Sequence, residues 1–69
     1  MTFIHTPEQL GQALRSARKQ LALTQPQLAL AAGVGVRFVV ELEAGKPTVR
    51  LVQVLRVIDA LGGTLQLTG

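Results

Sequence analysis

Leu23 to Lys46 reads LTQPQLALAAGVGVRFVVELEAGK, and this stretch decides how the chain folds. Thr24 supplies a helix cap, Pro26 falls in the first turn where a missing N–H costs nothing, and Gln27 completes a capping box. The helix predicted here carries Leu28, Ala29, Ala31 and Ala32. It stops at Gly33, because glycine reaches the left-handed conformation that ends a helix without strain. A second helix is predicted from about Val36 to Ala44, ended by Gly45. On that helix Phe38, Val39 and Leu42 share one face, assigned to the core, while Val36, Arg37, Val40 and Glu41 share the opposite face. Ala29 is small enough for another helix to cross closely over it. Two β-branched apolar residues turned away from a core need a reason.

Working outward, Thr6-Pro7-Glu8-Gln9 repeats the same start signal ahead of the first helix. Leu10, Ala13, Leu14, Ala17 and Leu21 then recur on one face, with Arg15 and Lys19 opposite and Arg18 beside the apolar stripe. Beyond Gly45, Lys46-Pro47 forms a turn, and Thr48 can cap a last helix from about Val49 to Leu61. Its apolar arc holds Leu51, Val54, Leu55, Ile58 and Leu61, with Val57 at one edge. An arc this wide can meet its own core on one side and a partner on the other. Gly62-Gly63 ends the helix, and Thr64-Leu65-Gln66-Leu67-Thr68 alternates polar and apolar like a short strand. A lone strand has no partner in an otherwise helical chain, so it needs another chain.

Composition sets the bounds. A chain of 69 residues makes one domain, residues 1–69, and buries only about 60% of its unfolded surface. It has no cysteine, which excludes disulfides and thiolate metal sites. Hydrophobic residues make up 48% of it, more than one small core needs, and dimerisation is the simplest way to bury the surplus. No apolar run reaches the ~20 residues of a membrane span, and Met1 to Pro7 lacks the features of a signal peptide. A cytoplasmic protein is expected. The net charge of +3 suits a polyanion without requiring one.

The same residues argue against catalysis. His5 is the single histidine, with no second histidine or cysteine to hold zinc. No base and orienting acid are spaced for a serine or threonine nucleophile. Gly33-Val34-Gly35 lacks the strand–loop–helix setting of a phosphate-binding loop. We expect no enzyme, no metal and no cofactor.

Two short helices joined by a tight turn at Gly33, over residues 24–44, form the geometry that lays a second helix into the major groove of DNA. The stretch closely resembles the Xre or Cro/CI-like helix-turn-helix family, whose pattern stands here as Leu23-Thr24-Gln25, Leu28-Ala29, Ala32-Gly33-Val34 and Leu42-Glu43-x-Gly45-Lys46. The start Thr6 to Gly11 and the ending Val54 to Leu67 are similar to the HipB-type antitoxin branch of that family. The resemblance implies an all-α, four- to five-helix, phage-repressor-like domain. Its C-terminal strand, about residues 64–68, would pair across a homodimer with contacts from Val57, Leu61, Leu65 and Leu67. It further implies a nucleoid-associated repressor of its own operon, acting on palindromic operator DNA, with a HipA-like Ser/Thr kinase toxin as partner. A stand-alone phage-type repressor and an interaction module that has lost DNA binding are the alternatives.

Individual residues carry two readings each. Arg37, early in the second helix of the motif, can reach guanine O6 and N7 in two bonds, or pair in solvent with Glu41. Val36 and Val40 occupy positions that the resemblance assigns to base contact, usually polar in relatives. They suit thymine methyls or a protein patch. Gly35 lets the backbone approach DNA closely. Gln25, Gln27, Lys46 and Arg50 are candidates for phosphate, with capping or solvation as the alternative. Glu41 is expected to partner Arg37. Relatives carry Arg18 and Glu43 as an internal salt bridge, and a structural role is expected for the pair.

Overall fold

The computed structural model describes residues 3–67. Its elements are α1 (Pro7–Gln20), α2 (Gln25–Ala32), α3 (Val36–Glu43) and α4 (Leu51–Ala60). Each start follows from local chemistry. The Thr6 hydroxyl accepts from the Gln9 N–H at 3.1 Å, while Gln9 Oε1 accepts from the N–H of His5, one residue before the cap, at 2.6 Å. At α2 the capping box closes fully: Thr24 Oγ1 accepts from the Gln27 N–H, and Gln27 Oε1 accepts from the Thr24 N–H.

The helix ends share one device. An N–H reaches back to the carbonyl five residues earlier: Leu23 to Arg18, Val34 to Ala29, Lys46 to Glu41 and Gly63 to Ile58, at 2.9–3.1 Å. The residue that turns the chain has positive φ each time: Ala22 (+57°), Gly33 (+70°), Gly45 (+87°) and Gly62 (+75°). Three of the four are glycine. Ala22 takes the same conformation with a Cβ and bears its strain.

Leu14, Leu28, Ala29, Ala32, Val39, Leu42, Val54, Val57 and Ile58 form the core, with Leu10, Val34, Phe38 and Leu61 packed against it. Helix α1 presents Gly11, Leu14 and Arg18 inward, and Leu21, expected in that stripe, is exposed because the helix ends before it. Helix α1 approaches α3 closely at Gly11. A Cβ added there would lie 2.6 Å from the Leu42 carbonyl oxygen and 2.7 Å from that of Glu43, so only glycine lets α1 and α3 meet.

The last helix departs from the sequence reading at its start and in its rotation. Thr48 does not cap it; the chain bends at Pro47 and Thr48, Val49 packs on the core, and Arg50, in extended conformation, is the cap residue without a side-chain bond. The buried positions are therefore Val54, Val57 and Ile58, leaving Leu51, Val52 and Leu55 exposed. Val57, expected at the arc's edge and in a dimer contact, is 0% exposed inside its own core. It has no surface left for a partner. Leu61 is half-buried, and Leu65 and Leu67 are exposed. The strand expected at 64–68 is not formed among the described residues, Thr68 lying outside them, because a single chain offers it no neighbouring strand. None of the described helices is long and apolar enough to cross a membrane.

Candidate nucleic-acid interface

The turn between α2 and α3 fixes what α3 shows to the outside. Gly33 turns the chain, Val34 drops onto the core, and Gly35 opens α3 in extended conformation with no side-chain cap. Val39 and Leu42 point inward, so helical geometry turns Val36, Arg37 and Val40 outward. Both valines are 45% exposed, and Arg37 stands in solvent between them. A Cβ added at Gly35 would meet nothing within 4 Å, and this exposed residue begins the face.

Behind that face α3 is anchored by charge. Arg18 Nε donates to Glu43 Oε2 at 2.7 Å and Nη2 donates to Oε1 at 3.0 Å, a two-pronged pair with side chains only 10% and 4% exposed. Arg18 Nη1 also donates to the Leu23 carbonyl at 2.8 Å, and Gln25 Nε2 donates to Glu43 Oε1 at 3.2 Å. Four segments meet on one ion pair: α1, the α1–α2 turn, α2 and α3. The hydrogen bond to Glu43 raises the Arg18 pKa against the opposing effect of burial. Desolvation offsets most of the Coulomb gain of a buried pair, whereas removing one partner strands the other charge in the interior.

The remaining candidates divide. Glu41 takes Lys46 as its partner, not Arg37: Lys46 Nζ donates to Glu41 Oε2 at 2.6 Å. The bond from Lys46 holds the Glu41 carboxyl below its usual range, with Arg37 adding a weaker pull. The helix-ending turn explains the choice, since it folds Lys46 back over the last turn of α3. Lys46 thus reaches any phosphate from an ion pair rather than as a free cation. Gln25 has given one amide hydrogen to Glu43 and keeps the other. Gln27 has its carbonyl oxygen committed to the cap and its amide nitrogen exposed. Arg50 is exposed at the uncapped start of α4.

Sequence reasoning placed Arg15 opposite the apolar stripe of α1 and gave it no role. The structure places it with Arg18, Gln25, Val40, Glu43 and Ala44 around a groove beside α3. The signal was available: Arg15 lies three residues, nearly one turn, before Arg18, so whatever α3 residue Arg18 meets lies near Arg15 as well. Among the described residues no group of three His, Cys, Asp or Glu side chains could hold a metal ion.

Residues 9–68 match the family described as the helix-turn-helix domain. The chain belongs to that family. An uncharacterized HTH-type transcriptional regulator, y4mF, of Sinorhizobium fredii is 47% identical over 64 residues, spanning 93% of this chain and 84% of the relative. The helix-turn-helix backbone is also shared with solved structures. A chain of the HipA–HipB–O2–O3 complex and one of a HipB–O4 20mer complex each superpose with a TM-score of 0.91 at 23% identity, covering all of this chain and 97% of theirs. The MDT protein matches with a TM-score of 0.89 at 24% identity, covering 100% of this chain and 97% of its own. The four-helix, all-α architecture is therefore a known one, and the chain is a helix-turn-helix transcriptional regulator, a member of a DNA-binding rather than an enzymatic family.

Proposed function

We propose that this regulator acts as a homodimeric, sequence-specific repressor of its own operon and as the antitoxin partner of a HipA-like Ser/Thr kinase. One observation carries the repressor reading: α3 holds Val36, Arg37 and Val40 outward on a helix that the Arg18–Glu43–Gln25 network locks to the rest of the fold. Arg37 and Gly35 contact base edges, and Gln25, Gln27, Lys46 and Arg50 contact phosphate, joined by Arg15 from α1.

Exposed Leu51, Val52, Leu55, Leu65 and Leu67 supply the apolar surface for a second copy, whose tail strand at 64–68 pairs with this one. Twofold symmetry sets the two α3 helices roughly 34 Å apart and makes the operator a palindrome. The kinase partner rests on the backbone likeness to a chain solved together with HipA, and on the resemblance at both ends of the sequence. A nucleoid-associated, cytoplasmic protein of one domain follows from this role. The same fold without a toxin, as a stand-alone repressor, differs in having no kinase gene beside it.

Anisotropy titration of the full chain on the DNA upstream of its own gene, at about 50 and 200 mM salt, tests the repressor role. Affinity in the nanomolar range that falls by orders of magnitude with salt is expected for several phosphate contacts. No binding at low salt would defeat it. Co-expression with the adjacent gene tests the antitoxin role: a stable complex with a kinase-fold protein is expected, and its absence leaves the stand-alone repressor. Removal of residues 64–69 is expected to lower the molar mass by light scattering towards one chain; an unchanged tight dimer contradicts the paired tails.

A further inference from the structure

The outward face of α3 is unusual in what it lacks. Val36 and Val40 are four residues apart, each 45% exposed, and neither can donate or accept a hydrogen bond. Their side chains sit about 5–6 Å apart on one helix face, roughly two base steps along a strand. Of the three side chains Val36, Arg37 and Val40, only that of Arg37 can form a hydrogen bond, and it is exposed. Glu41, the next residue around, is already held by Lys46 at 2.6 Å, so its charge is compensated where phosphates approach.

A protein docked on this patch would bury the Arg37 guanidinium with no carboxylate of this chain bonded to it. A major groove gives that guanidinium a guanine and gives each valine the one apolar group found there, the C5-methyl of a pyrimidine. Resting on the reading of α3 as a DNA-recognition helix, we infer that this chain reads C5-methylated pyrimidines: each half-site presents two C5-methyl groups flanking a guanine. The group is the same whether thymine or 5-methylcytosine carries it. Valine ignores what distinguishes those two bases, the thymine O4 acceptor and the cytosine N4 donor. Contact with the methyl is then the whole of the discrimination at these positions, and methylation of a cytosine placed there would create a binding site.

The test uses the DNA upstream of the gene, amplified four ways: with ordinary nucleotides, with dUTP replacing dTTP, with 5-methyl-dCTP replacing dCTP, and with both replacements. The full chain and the double variant Val36→Ala, Val40→Ala are titrated on each, with a thermal melt showing that the variant folds. Loss of a buried methyl weakens binding roughly fourfold, so two half-sites together are expected to lose at least about tenfold. With thymine as the source, uracil DNA is bound at least tenfold more weakly by the native chain, and the variant no longer distinguishes the two. With cytosine as the source, 5-methyl-dCTP DNA is bound several-fold more tightly by the native chain alone.

Equal binding of all four DNAs by the native chain would overturn methyl reading while leaving the DNA-binding helix intact. So would a uracil penalty that persists in the variant, since that would be a change of DNA shape. Failure to bind any of the four at low salt would remove the recognition helix itself, and methyl reading with it.

Discussion

The α1–α3 end and the α4–tail end of this small chain are held together by different means. Between α1 and α3 the backbones touch at Gly11, a two-pronged ion pair fixes register, and α2 joins through Gln25. Every buried polar side-chain atom among the described residues has a partner. At the other end α4 begins without a side-chain cap, packs Val54, Val57 and Ile58 inward, and leaves Leu51, Val52, Leu55, Leu65 and Leu67 in solvent. One end is complete within a single chain. The other leaves its apolar surface uncovered.

Function follows the same division. A helix that reads DNA must be held within about half an ångström, which packing and supporting hydrogen bonds achieve together. A surface proposed to meet a second copy needs exposed apolar area, which this end has. On the proposed role, the ionic network behind α3 would hold the reading helix and the leucines around α4 would meet the second copy.

The contrast can be broken most forcefully at the ion pair. Glu43→Ala strands a buried guanidinium and is expected to cost about 3–5 kcal/mol, enough to unfold much of the chain in chemical denaturation. In a double-mutant cycle Arg18→Met with Glu43→Leu is expected to recover most of that loss in stability without restoring full DNA affinity. Full recovery of both would reduce the network to filler. Next comes Gly11→Ala, whose methyl would meet two backbone carbonyls and push α1 from α3; a loss of about 1–3 kcal/mol is expected by thermal melting.

A smaller effect of opposite sign is expected at the end of α1. Ala22→Gly relieves a left-handed alanine and should stabilise by about 0.5–1 kcal/mol after the greater freedom of glycine in the unfolded chain is counted. The smallest effect concerns pH. Because Lys46 depresses the Glu41 pKa, the stability from that pair is fully present above the ordinary carboxylate value of 4.5 and is lost as pH falls through the lower folded value. The melting difference between the native chain and Glu41→Gln should shrink across that acid window and stay flat above it.

How legible all this was in the sequence depends on distance along the chain. Both capping signals, the stop at Gly33 and the split of α3 into Val39/Leu42 and Val36/Val40 faces are local, and local patterns suffice for them. Arg18 and Glu43 lie 25 residues apart, and only the family pattern suggested their meeting. Gly11 passed unnoticed because its need for glycine comes from the carbonyls of another helix. The rotation of α4, and with it the burial of Val57, turned on where the helix starts. That start is set by Val49 reaching the core rather than by the nearby threonine. Glu41 chose Lys46 over Arg37 because the final turn of α3 folds back on itself.

The central claim is that α3 reads DNA through Arg37. Competition binding of Arg37→Ala against the native chain, on the upstream DNA and on an unrelated duplex of equal length, tests it most directly. Loss of about 1–3 kcal/mol on the upstream DNA, with far less change on the unrelated duplex, is the predicted result. Undiminished preference for the upstream DNA in the variant would contradict it.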